Sequence, residues 1–177
     1  MRVVKVNFPE KSILSNEQFD YFDCYQGKLI NTENISVVDV CKSFFSTAPN
    51  WVDKLFYLRN RVVSLFGLKV PKSEKDKTAI LAEFKGEEGE QLGLFKVLER
   101  RENEIVLGEN DKHLNFKVSI LLDKLETNSK SITISTIVVF NNWFGKLYFL
   151  PVKPFHKLIV PIMLKSILKD LEKNNER

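Results

Sequence analysis

Residues 140–171 constrain the fold of this chain more than any other stretch. They are rich in apolar side chains and are interrupted by Gly145, Pro151, Pro154 and Pro161. The pattern predicts the end of a strand, a tight turn at Gly145, a second strand, a break at the prolines and then a long apolar helix. Such a helix needs a covering surface, because exposed apolar area is unfavourable in water. We therefore expect the rest of the chain to form a sheet that packs on this C-terminal helix.

Period-two alternation of apolar and polar residues predicts the strands of that sheet. Residues 114–122 alternate most regularly, and the same pattern returns at 132–140. Shorter runs of the same kind predict further strands at 3–6, 19–29, 91–98 and 104–107. Short consecutive strands joined by hairpin-length turns indicate an antiparallel meander with one buried and one wet face.

Two helices are predicted between the first long strand and the meander. The first, at residues 36–46, begins at Ser36, which precedes Asp39 at the spacing of a capping box. The second, at residues 51–66, follows Pro49 and carries two apolar stripes. Helices and strands that are segregated along the chain predict an α+β fold. We expect a curved antiparallel sheet gripping a long C-terminal helix, with two shorter helices after the first strand.

The chain is expected to form a single domain, residues 1–177, because single domains commonly have about 100–200 residues. Residues 1–17 are mixed and polar, and we interpret them as a peripheral N-terminal segment. Residues 69–89 contain charged runs and two turn-forming glycines. They indicate an exposed polar excursion with one turn of helix near residues 78–84.

Composition and charge limit the possible function classes. Cys24 and Cys41 lack metal or redox spacing, and the N-terminus has no apolar run of signal-peptide length. We therefore expect a cytoplasmic protein with reduced, buried thiols. We also expect no membrane-spanning segment, because no apolar run reaches the length of a membrane span. The last 32 residues hold seven Lys and Arg against three Asp and Glu, which is the whole net excess of +4. We interpret this charge as a solvated helix face, with contact to an anionic membrane surface as the alternative.

No sequence motif supports a cofactor or a catalytic nucleophile. The chain lacks GxSxG, GxGxxG, HExxH and P-loop sequences, so we expect neither a metal nor a cofactor. The aromatic residues fall in apolar stripes rather than beside basic residues, which argues against nucleic-acid binding. The sequence leans against an enzymatic activity without deciding the question.

The C-terminal helix presents apolar residues on two different sides. One side precedes or flanks Pro161 and contains Phe155, Leu158, Ile159, Ile162 and Met163. The other side follows Pro161 and contains Leu164, Ile167, Leu168 and Leu171. We expect a bend at Pro161 or different partners for the two halves. The first half would close a cavity, and the second would dock on the sheet edge, on another copy or on a membrane surface.

Three separated segments resemble one known family. Residues 50–69, 106–121 and 140–164 are similar, in this order and spacing, to the family catalogued as domain of unknown function 2867. That family is similar in fold to the START-like group (helix-grip, SRPBCC-type), which includes lipid-transfer proteins, polyketide cyclases and plant hormone-binding proteins. The resemblance implies a helix-grip architecture and no particular activity, because a fold does not fix a function.

Four polar side chains are candidates for a site. His113 follows Asp111 by two residues, a pairing suited to general-base chemistry, although strand alternation favours a surface position for His113. His156 is expected at the rim of the cavity or bonded to a neighbouring carbonyl. Arg59 borders an apolar stripe, where it pairs with a carboxylate of the chain or binds a ligand carboxylate.

The resulting hypothesis is a protein that binds a small, mostly apolar ligand between the sheet and the C-terminal helix. The expected ligand-binding residues combine an apolar lining with Arg59 or His156 as the polar contact: Phe44, Trp51, Leu55, Arg59, Phe95, Phe116, Phe140, Phe155 and His156. The alternative is a non-binding structural or interaction protein whose core is packed by the same phenylalanines. A third interpretation is a cyclase-like or hydratase-like enzyme that uses Asp111 and His113.

Overall fold

The computed structural model describes residues 2–30, 35–48, 77–126 and 128–175. In these ranges one antiparallel sheet of seven strands carries the fold, and its strand order is β1-β2-β7-β6-β5-β4-β3. The strands are β1 (Val3–Lys5), β2 (Tyr21–Ile30), β3 (Gln91–Leu92), β4 (Phe95–Arg100), β5 (Glu104–Asn110), β6 (Leu114–Glu126) and β7 (Ser129–Phe140). The predicted α+β class, with an antiparallel sheet and a long C-terminal helix, is confirmed.

The helices of the described ranges lie before and after the meander. They are α1 (Val37–Ser46), α2 (Lys77–Glu83) and α3 (Trp143–Asn175), with a short 3-10 helix at Ile13–Asn16. Ser36 and Asp39 form the predicted capping box, in which each side chain accepts from the backbone N–H of the other residue. The predicted helix at 51–66 lies outside the described residues, as do Trp51, Leu55 and Arg59.

The inner face of the sheet, which bears Tyr25 and Leu29, packs against α1 and α3. Its main apolar cluster joins both helices to six of the strands. The fully buried members include Leu107, Ile120, Ile134, Leu164, Ile167 and Leu168. Gly27 allows α3 to approach β2 closely, because a Cβ there would lie 2.5 Å from Leu168 Cδ1. This contact fixes the second half of α3 on the sheet.

The outer face of the sheet is covered in part by the N-terminal segment. Glu104 is 1 % exposed and accepts hydrogen bonds from the Ser12 and Ser119 hydroxyls and, at 2.8 Å, from the Ile13 backbone N–H. Leu14 is then fully buried beside Val106 and Ile137. A buried carboxylate is tolerated here because several donors satisfy its oxygens.

The C-terminal helix begins earlier than the sequence predicted. After β7 ends at Phe140, Asn142 accepts from the Gly145 backbone N–H at 3.1 Å and caps α3. The predicted turn at Gly145 and second strand are therefore wrong. Gly145 is instead a contact point, since a Cβ there would collide with the His113 carbonyl oxygen.

Three prolines, Pro151, Pro154 and Pro161, lie inside α3 without ending it. Each proline lacks the N–H that would bond the carbonyl four residues earlier. For Pro161 that carbonyl belongs to Lys157, and the Tyr25 hydroxyl on β2 donates to it at 3.5 Å. The sheet thus supplies one donor that the helix cannot, which the sequence pattern of prolines did not reveal.

The two halves of α3 bury different sides, but not as predicted. In the first half Phe149 and Val160 are buried, whereas Phe155 is 49 % and Leu158 60 % exposed. The prediction that Phe155 lines the interior is therefore wrong, because Phe149, His156 and Val160 define the buried side. The second half is the one held in the core, through the four leucine and isoleucine side chains that follow Pro161.

Both cysteines are free and buried. Burial raises the pKa of the Cys24 and Cys41 thiols. The prediction of two reduced, buried thiols is confirmed.

Candidate functional site

A polar group of side chains lies on the inner face of the sheet, beneath the first half of α3. Asp23 on β2 is 1 % exposed, and its Oδ2 accepts from His156 Nδ1 of α3 at 2.9 Å. The same oxygen accepts from the Tyr21 hydroxyl at 2.5 Å. One carboxyl oxygen thus holds two donors, one from the sheet and one from the helix.

Strand alternation brings these residues together. Tyr21, Asp23 and Tyr25 occupy every second position of β2 and are all buried. His156 stands on α3 seven residues after Phe149, so the two side chains lie on the same side of the helix, two turns apart. Phe149 in turn packs on Tyr21, with ring centroids 4.8 Å apart.

The Tyr21 hydroxyl remains a donor over a wide pH range. Burial, together with the hydrogen bond to Asp23, raises the pKa of Tyr21 well above its ordinary value. Burial also raises the pKa of Tyr25, with the Asp23 charge adding to the effect. Both tyrosines therefore act as neutral hydrogen-bonding groups.

The second oxygen of Asp23 distinguishes this group from an ordinary buried network. Asp23 Oδ1 is buried and has no hydrogen-bond partner in the described part of the chain. Thr136 on β7 is paired directly opposite Asp23, and its hydroxyl oxygen is likewise buried and without a partner. Side chains paired in this way are about 5 Å apart at Cβ. Two adjacent buried oxygens therefore lack partners, which is costly unless a further group satisfies them.

The surroundings of this polar group are apolar. Tyr21, Val138 and Phe149 form a buried cluster, and Phe140 and Phe116 pack against it. The Phe140 ring lies 5.5 Å from that of Phe149. His156, with 21 % of its side chain exposed, connects the interior to solvent. The site thus combines a low-dielectric lining with hydrogen-bond acceptors at one end.

A chain of aromatic contacts extends the lining toward α1. The Phe95 ring centroid lies 6.2 Å from that of Phe44 and 5.6 Å from that of Phe116. Both ring pairs are edge-to-face. These residues were predicted to line an interior. Phe95 and Phe116 lie on the inner face of the sheet, and Phe44 lies on α1, which packs against that face. Phe140 also lies on the inner face, at the end of β7.

A second group, around His113, forms a small cavity at the start of α3. The cavity has a volume of about 30 Å³ and is lined by Glu109, Asp111, His113, Leu114, Phe116, Phe144 and Tyr148. His113 precedes β6, so strand alternation does not set its direction, and its ring lies 4.7 Å from that of Phe144. His113 is half-buried in this turn, because the beginning of α3 covers one side of it.

The cavity beside His113 has room for one or two water molecules and not for a larger ligand. His113 Nδ1 lies within 3.0–3.3 Å of the Asn142 side-chain amide, which also caps α3. Within the ranges that the structure describes, no three His, Cys, Asp or Glu side chains are placed to hold a metal ion. The contacts of Asn142 with His113 and with the Lys112 carbonyl oxygen attach the beginning of α3 to the β5–β6 hairpin.

Comparison with known proteins places the chain in a family. The profile of the family described as "Protein of unknown function (DUF2867)" matches residues 15–163, more than four-fifths of the chain. The chain belongs to this family. A solved structure described as "Crystal structure of conserved protein from Geobacillus kaustophilus" is similar to it, with 11 % identity and a TM-score of 0.45. That similarity covers 86 % of this chain and 96 % of the other. No curated protein matches the chain.

The part of this DUF2867 protein that matches its family includes the whole polar group. Of its members only His156 was predicted as a ligand contact. Asp23, Tyr21 and Thr136 were missed, although the sequence carries a signal for the first. Asp23 lies between Tyr21 and Tyr25 on the aromatic side of an alternating strand, and a charged residue at such a position is rarely buried without a role.

Proposed function

We propose that the protein binds a small, mostly apolar ligand between the sheet and the first half of α3. Asp23 and Thr136 would anchor the polar end of the ligand, and the phenylalanine side chains of the inner face would contact the rest. The observation that supports the proposal is the pair of adjacent buried oxygens that have no hydrogen-bond partner in the described part of the chain. The helix-grip architecture that the START-like resemblance implies is compatible with this position, because the gap between its sheet and helix is often a cavity.

The chemistry of the two oxygens selects the polar end of the ligand. A carboxylate oxygen only accepts hydrogen bonds, so Asp23 Oδ1 requires a donor. The Thr136 hydroxyl both donates and accepts, so it complements a group that does the same. A hydroxyl or an amine bound to an apolar body fits both. A ligand carboxylate would lie against the Asp23 oxygen and is excluded.

His156 and Tyr21 would act as positioning residues in this site. Their hydrogen bonds to Oδ2 orient the carboxyl group and leave Oδ1 directed away from both. The partial exposure of His156 places it at the entrance. We assign this arrangement a role in binding.

A second candidate function is an interaction protein whose core is fully packed. It is favoured by the packing beside Asp23, where Tyr21, Val138 and Phe149 are at most 8 % exposed and form one buried cluster. In such a core these side chains fill the space that a ligand would need.

Three ten-carbon probes distinguish the two functions: decanol, decylamine and decanoate. Native mass spectrometry should show one decanol or one decylamine bound per chain and no decanoate. Asp23→Asn presents an amide N–H₂ in place of one acceptor, and Thr136→Val removes the hydroxyl. Each substitution should weaken decanol binding about tenfold, the loss expected for one buried hydrogen bond.

Thr133→Val is the matched control on the same strand. Thr133 lies on the outer face and accepts from the Gln26 side-chain amide at 3.0 Å, so its substitution should lower stability by about 1 kcal/mol and leave decanol binding unchanged. Thr136→Val removes a hydroxyl without a partner and should not destabilise the ligand-free protein. Equal binding of decanol and decanoate would contradict the anchor, and failure of all three probes to bind would favour the packed interaction protein.

A further inference from the structure

A long apolar strip remains exposed on the side of α3 that faces away from the sheet. Its six members, here called the outer stripe, are 39–74 % exposed: Trp143, Leu147, Leu150, Phe155, Leu158 and Ile162. They recur at intervals of three to five residues, which keeps them on one side of the helix. The stripe spans about 30 Å at 1.5 Å per residue. A continuous apolar surface of this length on a folded protein indicates an interaction site.

The charges on α3 are all of one sign along the stripe. From Trp143 to Lys169 the sequence contains five lysines and no acidic residue. Lys146, Lys153 and Lys157 are exposed, and helical geometry places them together along one flank of the outer stripe. Apolar and aromatic side chains beside a row of lysines are the pattern of a helix that lies in the interface of an anionic membrane.

We propose that the outer stripe docks α3, lying in the plane of the surface, on a membrane that contains anionic lipid. Leu147, Leu158 and the ring of Trp143 would enter the boundary between headgroups and acyl chains. Lys146 and Lys157 would reach the lipid phosphates, while their alkyl stems cover apolar surface. Lys153 Nζ instead lies 5.4 Å from the centroid of the Tyr21 ring, in a cation–π contact with β2. This inference goes beyond the proposed ligand site and does not depend on it.

The charge pattern favours lipid over a second copy of the chain. In a symmetric antiparallel pair of outer stripes each flank meets the same flank of the partner. Lys146, Lys153 and Lys157 of the two copies would then face one another, and no acidic residue in residues 143–169 compensates them. An anionic lipid surface supplies the missing opposite charge.

The same helix does not cross the membrane in the folded protein. By length and composition alone, Trp143–Lys173 is apolar enough to span a bilayer, with a mean hydropathy of 1.3 over its most apolar 18 residues. Its other side, however, holds Leu164, Ile167 and Leu168 in the core with no exposed area. Crossing would remove these side chains from the sheet. Docking in the plane uses only the side that is already exposed.

Vesicle flotation tests the proposal with the full chain. Vesicles of phosphatidylcholine and phosphatidylserine in equal parts should bind the protein, and added salt should weaken the binding. Vesicles of phosphatidylcholine alone should bind it at least about tenfold less, because lysines near an anionic surface each contribute appreciably. The tryptophan fluorescence should shift to shorter wavelength on anionic vesicles, and the Trp143→Phe variant should lose this shift.

Two variants and two matched controls separate the stripe from general surface properties. Leu147→Asp/Leu158→Asp and Lys146→Glu/Lys157→Glu should each reduce binding to anionic vesicles about tenfold or more. Leu125→Asp changes a leucine of β6 that is 49 % exposed, and Lys28→Glu/Lys96→Glu reverses two exposed lysines on strands. These controls should bind as the wild type does. Unfolding in urea checks that all four variants retain the fold.

Four results would overturn the proposal. The first is equal binding to neutral and anionic vesicles, and the second is unchanged binding in both stripe variants. The third is a wild-type dimer without vesicle binding that becomes monomeric in Leu147→Asp/Leu158→Asp, since the stripe would then be covered by a second copy. Blue-shifted Trp143 fluorescence in the lipid-free monomer would also contradict it, because the stripe would already be covered.

Discussion

At the scale of single residues, Asp23 is the position that separates this interior from an ordinary apolar core. Its Oδ2 accepts from two donors, while its Oδ1 accepts from none among the described residues. A carboxyl group that is needed only for stability would be expected to use both oxygens, as Glu104 does on the outer face. The contrast between Asp23 and Glu104 is the reason for assigning a ligand to the first and a structural role to the second.

The free energy of unfolding depends on pH through the ionisation of Tyr21. Its pKa is raised in the folded protein, so above about pH 10 the unfolded chain loses this proton while the folded chain keeps it. The contribution to stability is therefore complete below pH 10 and decreases as the pH rises. Tyr21→Phe should make the alkaline fall of the unfolding free energy shallower, by up to about 1.4 kcal/mol per pH unit.

Urea denaturation at a series of pH values above 9 measures this slope. Phe149→Leu is the control, since it disturbs the same ring packing without removing a titrating group. Its slope should match that of the wild type. An unchanged slope in Tyr21→Phe would mean that Tyr21 ionises equally in both states.

At the scale of elements, the outer-face contact of the N-terminal segment rests on Glu104. Glu104→Gln keeps one acceptor but turns an amide N–H₂ toward a serine hydroxyl or the Ile13 backbone N–H. The substitution should lower the unfolding free energy by about 1–3 kcal/mol, the cost of leaving a buried polar group unsatisfied. Backbone amides of Ile13 and Leu14 should exchange faster with solvent.

Glu102→Gln is the appropriate comparison, because Glu102 is exposed only two residues away. It should change stability by less than about 0.5 kcal/mol. Unchanged exchange at Ile13 and Leu14 in Glu104→Gln would show that Leu14 and its apolar contacts hold the segment without the carboxylate.

The elements also show what sequence reasoning can reach. β6 and β7 were predicted because alternation reports directly which face of a strand is buried, and α1 because its capping box is local. The beginning of α3 was missed because prolines normally end a helix, so that no helix was predicted before residue 154. The Lys157 carbonyl that Pro161 leaves free accepts from Tyr25, a residue distant in sequence. The sequence pattern predicted a break at these prolines, whereas all three lie within α3.

At the scale of the whole molecule, α3 has two surfaces with different purposes. One side closes the inner face of the sheet over Asp23 and Thr136, and the other presents the outer stripe. The pairing of Asp23 with Thr136 arises from the register of β2 and β7, 113 residues apart in sequence. The candidate site was therefore only partly predictable from the sequence. The apolar sequence pattern predicted the phenylalanine side chains of the inner face. The proximity of Asp23 and Thr136 was not predictable, because it depends on how the two strands pair in the sheet.

The central claim is that the ligand binds at the group formed by Asp23, His156 and Thr136. The most direct test is the imidazole NMR spectrum during a titration with decanol, since the chain has only two histidines. We predict that the His156 ring resonances shift in a saturable manner and that the shift is lost in Asp23→Asn. The His113 resonances should stay unchanged because this ring lies at the start of α3, beside Phe144. A saturable shift of His113 alone, or bound decanol without any change at His156, would contradict the account.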